Sequence, residues 1–267
     1  MMKNDDDEPI LTVTRPVPIE GTAYFIDYME KYYIFEALYG GHVAEDCQAI
    51  SDSCRLSLNY TSSTLAYGEI IYESFGKFML SLFEYNEIKM NKLRSFVDIG
   101  SGSGKAVHCA RLLDIFDRCT GIEILPDLCM LSMTAMKLYY KLMGIKMDDL
   151  NDDELTVRFV HGDATRMDIW RDADIIFAHC SCFNQDMMQR LAATASWMRE
   201  GSVVITVSHK LPHDGYFNLV ASKSLQVTWG VASAFIYRRN NVKLPLLATD
   251  LRLRLSEVLS RPLPDLL

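Results

Sequence analysis

Two kinds of hydrophobic pattern succeed each other along the chain. Up to about residue 92, bulky residues recur at helical spacing. Residues 22–40, TAYFIDYMEKYYIFEALYG, carry such a stripe and end at Gly40-Gly41, a helix stop. Residues 43–58 predict a second helix and residues 70–83, IIYESFGKFMLSLF, a third, with the polar NYTSST and then LAYGE between them. From residue 95 the pattern changes. SFVDIG, RCTGIEI, TVRFVHGD, DIIFAHC, SVVITVS, LQVTWG and ASAFIYRR are short runs rich in β-branched and aromatic side chains, the signature of strands. Helix-length segments at 104–114, 126–143, 165–171 and 184–199 separate the first five. In 126–143, Pro126 suits a first turn, Leu128, Leu131, Ala135, Leu138 and Leu142 repeat on one face, and Gly144 ends the run. This alternation predicts an α/β fold: a mostly parallel sheet with helices on both faces. The last two strands almost touch in sequence and predict a C-terminal β-hairpin at the sheet edge. A small helical N-terminal portion precedes the sheet.

Charge divides the chain further. The formal net charge is −8, but Asp5, Asp6, Asp7 and Glu8 form one acidic cluster and Asp148, Asp149, Asp152, Asp153 and Glu154 another. Both read as solvated tail and loop. Outside them acids and bases nearly balance, which argues against a general nucleic-acid binder. From Arg238 onward the chain is locally basic, with Arg239, Lys243, Arg252, Arg254 and Arg261. The expected organisation is a disordered acidic tail over 1–20, a helical portion over 21–92, an α/β domain over 93–240 and a basic extension over 241–267. The start, MMKNDDDEPI, has no secretory pattern, and no apolar run is long enough to span a membrane. The seven cysteines form no CxxC, and His179, Cys180 and Cys182 fall short of four ligands. Reduced thiols and no metal are therefore expected.

Chemistry concentrates at FVDIGSGSGK, residues 96–105. Gly100, Gly102 and Gly104 follow a strand and precede a helix, where a backbone can approach a ligand closely and helix N–H groups face it. The spacing is not the G-x-G-x-x-G of dinucleotide binders. Asp98 ends the first strand, where it suits an ammonium or hydroxyl donor better than a pyrophosphate. Glu123, ending the second strand in GIEI, suits ribose hydroxyls. Asp163, after the third strand in VHGDA, suits an adenine amino group. Three acids at three successive strand ends match a ligand made of an amino acid, a ribose and an adenine.

VDIGSGSG, GIEI and HGD together resemble the class I methyltransferases, which have a Rossmann-like fold and use S-adenosylmethionine. The resemblance covers roughly residues 95–238. Upstream, SSTLAYGEIIYESFGKFM resembles the cofactor-covering segment of the disruptor-of-telomeric-silencing family, the non-SET histone H3 lysine methyltransferases, and most of all its short trypanosomatid-like members. DIIFAHCSCF, MREGSVVITVSHKLP and VTWG add to the match. The resemblance implies a cofactor set of Thr64, Tyr67, Glu69, Asp98, Gly100, Gly102, Gly104, Lys105, Glu123, Asp163 and Ala164. Tyr67 belongs to a lid, and Glu69 either engages the cofactor's amino group or fixes the glycine loop. A plain helix start is the other reading of the same residues. Tyr67, Phe183, Trp229 and Phe235 are the implied catalytic residues, with Tyr237 a further aromatic candidate for a lysine channel. The chain departs from the family at His179 and Cys180, where paired asparagines stand, and at Ala164, where an aromatic follows the adenine-binding acid. A lysine-rich extension is not visible.

The implied activity is methyl transfer to a lysine in the globular core of nucleosomal histone H3. The implied setting is a nuclear, monomeric chromatin regulator whose basic C-terminal stretch meets DNA. Two other readings stay open: a class I methyltransferase acting on another protein, RNA or small molecule, and an inactive relative that binds chromatin.

Overall fold

In the computed structural model, which describes residues 22–41, 44–57, 69–84, 95–167, 171–212 and 215–241, every predicted strand run folds as a strand. β1 is Ser95–Ile99, β2 Arg118–Glu123, β3 Val157–His161, β4 Ile175–His179, β5 Val203–Val207, β6 Phe217–Val227 and β7 Gly230–Arg239. They form one sheet in the order β3-β2-β1-β4-β5-β7-β6. The first five are parallel, and β7 runs antiparallel to both β5 and β6. β6 is longer than LQVTWG predicts, because its N-terminal half pairs with β7 across an irregularity near Leu219 and Ala221.

The helices are α1 Ala23–Glu30, α2 Tyr32–Tyr39, α3 Ala44–Ser57, α4 Tyr72–Glu84, α5 Lys105–Leu112, α6 Pro126–Leu142 and α7 Gln185–Ala195. The stripe over 22–40 is thus two helices, not one. At Lys31 the backbone tightens: Lys31 N–H donates to Tyr28 O (3.1 Å) and Ile34 N–H to Lys31 O (3.0 Å), both three residues back. The Tyr72 hydroxyl also donates to Tyr28 O (2.6 Å), and the Lys31 ammonium bridges Asp27 and Asp114. Tertiary partners thus hold the break. Where a helix is predicted at 165–171, the described residues form a 3-10 turn, Ala164–Arg166. The Asp163 carboxylate caps it by accepting from Thr165 N–H (2.9 Å) and the Thr165 hydroxyl (2.7 Å), and the chain leaves extended at Met167.

Neighbouring strand residues enter opposite cores, as a period of two requires. Phe96 and Phe177 join the larger core with residues of α1, α2, α4, α5 and α6. Val97, Ile99, Ile176 and Ala178 join the smaller core under α7. α1, α2 and α4 share the larger core, while Ile50 and Cys54 of α3 pack with Leu125 and Leu128 in a small cluster of their own. Tyr28 and Tyr72 stack at 4.0 Å, each hydroxyl bonded to the other residue's carbonyl, and this pair lies in the same cluster as Phe96 and Phe116. All seven cysteines are free thiols. Among the described residues no helix is long and apolar enough to cross a membrane. Strand order reverses at β1, so the crevice beyond the carboxyl ends of β1 and β4 is where such a sheet takes a ligand.

Candidate functional site

The glycine turn leaves β1 and is strapped across the end of β2. Gly100 N–H and Ser101 N–H both donate to Ile122 O, at 2.8 and 3.0 Å. Gly104 holds φ +89°, and a Cβ there would stand 2.5 Å from the Phe159 ring. Only glycine lets α5 start this close to β3. Gly100 is open to solvent and holds φ +71°. A Cβ on it would lie 3.3 Å from the Phe183 ring, so Phe183 overhangs the turn.

Acids surround this turn. The Glu123 carboxylate accepts from Gly102 N–H (2.7 Å) and Leu125 N–H (2.8 Å). Burial pushes its pKa up, opposed by those N–H groups. Asp98 is 3% exposed, and its Oδ1 is buried without a hydrogen-bond partner. Burial first, then the charge of Glu123, drive this carboxyl well above the usual carboxylate range. A buried carboxyl in this state costs free energy unless a donor or cation joins it. Asp163 Oδ1 is taken by Thr165, while its Oδ2 lies 3.3 Å from Arg166 Nε. Ala164 is buried beside it.

A second layer fixes the turn from behind. Glu69 is 5% exposed; it accepts from the Ser103 hydroxyl (2.6 Å) and pairs with the Lys105 ammonium. Its backbone is held too. Thr228 N–H donates to Glu69 O (3.0 Å), Glu69 N–H to Thr228 Oγ1 (3.2 Å), and Ile70 bridges Val227. The segment before α4 is therefore tied at one point to both the glycine turn and the β6–β7 turn. Lys105 Nζ also lies 5.6 Å from the Tyr39 ring centre. The Tyr39 hydroxyl lies 3.2 Å from Ser103 O, to which it donates, and 2.6 Å from His108 Nδ1; His108 Nδ1 lies 3.2 Å from Gly104 O. A proton on Nδ1 satisfies both loop carbonyls. Burial lowers the His108 pKa to about 4, which keeps the ring neutral.

The residues expected from the sequence fall into three groups. Asp98, Gly100, Gly102, Gly104, Lys105, Glu123 and Glu69 meet at the turn, with Asp163 and Ala164 following β3. The expected aromatics are dispersed: Phe183 overhangs Gly100, Trp229 stacks on His179 (6.5 Å between ring centres, 21° between planes), and Phe235 packs under α7 with Lys210 Nζ 5.6 Å from its ring centre. Tyr237 is a core residue whose hydroxyl accepts from Leu211 N–H (3.2 Å). Thr64 and Tyr67 lie outside the described residues. Sequence reasoning missed Tyr39, Ser103 and the loop-bracing role of His108. Tyr39 lies within a stripe of ordinary core aromatics, and nothing local ties it to a loop 64 residues away.

A glycine turn after β1, acids at the ends of β1 and β2, and a sheet ordered 3-2-1-4-5-7-6 with β7 reversed define a class I methyltransferase fold. The particular family follows from the sequence. The family described as "Histone methylation protein DOT1" matches residues 47–232, and the chain belongs to it. Family and fold together make it an S-adenosylmethionine-dependent methyltransferase. No curated protein sequence matches it. Solved structures resemble it distantly. One is a Pyrococcus horikoshii protein at 10% identity, covering 72% of this chain and 98% of that one with a TM-score of 0.45. Others are the N-methyltransferase NodS of Bradyrhizobium japonicum (10%; 62% and 97%; 0.44) and TrmN of Thermus thermophilus (13%; 61% and 48%; 0.43). None is close enough to bear on the substrate.

Proposed function

We propose that the chain methylates a lysine in the globular core of nucleosomal histone H3, in the nucleus, as a monomer. The observation that carries the reading is the buried Asp98 carboxyl, whose Oδ1 has no hydrogen-bond partner, beside a glycine turn in a chain of this family. S-adenosylmethionine supplies a methyl group activated by a sulfonium. The residues present fit that group. Asp98 has a free oxygen for its ammonium, and Glu123 keeps lone pairs for ribose hydroxyls after accepting two N–H bonds. Asp163 follows β3, where it can accept from the adenine amino group. Gly100, Gly102 and Gly104 keep side chains out of the ligand's path. Glu69 and Lys105 lock the segment before α4 onto the loop, and in this reading Thr64 and Tyr67 complete that lid. Phe183, over Gly100, and the His179–Trp229 stack line the acceptor's approach, where aromatic faces favour a methylated ammonium by cation–π attraction.

The chain's own work is alignment and exclusion of water, which supply much of the rate when a neutral amine attacks in line. The test is incubation with labelled S-adenosylmethionine and three acceptors: reconstituted nucleosomes, free histones and bulk RNA. Label entering histone H3 of nucleosomes supports the reading. Label entering only RNA, or no acceptor, contradicts it.

A further inference from the structure

Building on the proposed methyl transfer, we propose that His179 removes the proton that an acceptor ammonium must lose before it can attack. A lysine side chain ordinarily loses that proton near pH 10.4, so about one in a few thousand is neutral at pH 7. Alignment alone does not supply the neutral form. A base at the acceptor's approach does.

Register and burial put His179 there. It is the last residue of β4, and the pairing of Ile99 with Ala178 sets it beside Gly100. Asp98 shares a sheet face with Phe96, and His179 shares one with Phe177. Both phenylalanines belong to the larger core, so Asp98 and His179 lie on the same face at adjacent strand ends. The imidazole stacks on Trp229, which is 48% exposed in the β6–β7 turn. Thr228, next to Trp229, is bonded to Glu69, which is itself bonded to the glycine turn. The ring thus lies at the strand end beside the cofactor turn, with its Nε2 buried and the half-exposed Trp229 stacked on it. One strand further along, Ser208 holds φ +75° and its buried hydroxyl has no hydrogen-bond partner. Such strain in a non-glycine residue concentrates at functional sites.

The other described histidines are placed differently. His108 is buried behind the glycine turn, His161 lies 3.1 Å from Ile124 O beyond β2, and His209 is exposed after β5. Among the described residues, the titratable groups on the elements around His179 include Asp98 and Lys105 from the β1–α5 side, Glu69 from the hairpin contact, Cys180 and Cys182 from its own turn, and His209 and Lys210 after β5.

The acceptor ammonium gives one proton to an imidazole nitrogen. The freed lone pair forms the nitrogen–carbon bond to the methyl group as the carbon–sulfur bond breaks, its electron pair staying on sulfur. The sulfonium becomes a neutral thioether, and the imidazolium returns its proton to water.

The test compares the full chain with His179→Asn and His179→Gln on reconstituted nucleosomes, at saturating S-adenosylmethionine, from pH 6 to 10. The wild-type rate should rise with pH and level off at the pH where the His179 imidazole titrates in the free protein. Both variants should fall about 100-fold at pH 7, keep rising with pH, and approach wild type near pH 10. Their cofactor affinity by calorimetry should stay within about threefold. In the free protein, the imidazole resonance that the variants lose should titrate between pH 5 and 8 in NMR spectra. A variant with wild-type rate and profile, or a His179 resonance that does not titrate between pH 5 and 9, overturns the inference and leaves the proposed function standing. If wild type methylates free histones but not nucleosomes, the nucleosomal reading falls, and the same pH comparison on free histones decides the role of His179. If wild type methylates neither, both fall.

Discussion

Asp98 and His108 are both buried beside the glycine turn, and burial moves them in opposite directions. Burial and the nearby charge of Glu123 raise the Asp98 pKa well above the usual carboxylate range, which favours the protonated form until a cation joins it. If it receives the cofactor's ammonium, binding must expel that proton. Calorimetry in two buffers of different ionisation heat should detect up to one proton released, and affinity should fall as pH falls. Asp98→Asn should abolish the release and weaken binding by about 1.5–3 kcal/mol, the range of hydrogen bonds to charged groups. An unchanged affinity and no proton release in wild type would remove Asp98 from the site. His108 makes a stability statement. Its pKa is about 4 in the folded chain against an ordinary 6.5, so the unfolded chain binds the proton more readily. This contribution is intact above about pH 6.5 and is lost as pH falls toward 4. Between pH 7 and 5 wild type should lose about 2 kcal/mol more than His108→Gln in chemical denaturation. Equal losses would show that the ring is already open to solvent.

The elements follow from the sequence where the pattern is local. Five parallel strands, the hairpin and α6 are legible because their periods, Pro126 and Gly144 act over a few residues. The break at Lys31 is not, because Asp114 and Tyr72 hold it from distant parts of the chain. The short turn after Asp163 is missed because a capping carboxylate competes with helix extension. The loop brace is legible only in part: Tyr-Gly-Glu marks Glu69, but its bonds to Ser103 and Lys105 span more than thirty residues. Glu69→Gln keeps size and helix propensity, so a mere helix start would lose only a few tenths of a kcal/mol. A brace should cost at least tenfold in cofactor affinity or turnover, about 1.4 kcal/mol. Near wild-type values for both would reduce Glu69 to a helix-start residue. Gly76 in α4 tests how the N-terminal helices join the sheet. Alanine there gains about 1 kcal/mol of helix propensity, but its Cβ would stand 2.1 Å from the Tyr28 ring. Overpacking of this kind costs about 1–3 kcal/mol, so Gly76→Ala should unfold at lower denaturant. A more stable variant would mean that the Tyr28–Tyr72 stack yields freely.

At the scale of the whole molecule, the issue is how the chain meets its substrate. Arg239, one of the basic residues expected to face DNA, is engaged inside the fold: its guanidinium donates to Ser196 O (3.0 Å) and lies 5.2 Å from the Tyr216 ring centre. Arg238 precedes it on β7, and the basic residues from Lys243 onward lie outside the described residues. If basic groups of the chain meet DNA, methylation of nucleosomes should fall steeply with salt, each neutralised phosphate adding to the slope. The central claim is that the acceptor is a lysine presented by the folded nucleosome. The most direct measurement is site-resolved mass spectrometry of histone H3 after reaction with S-adenosylmethionine, on reconstituted nucleosomes and on a short peptide bearing the same lysine. A methylated lysine in the globular part of H3 is expected on nucleosomes, and little or none on the peptide. Equal methylation of both, or an unmodified H3 on active enzyme, would contradict it.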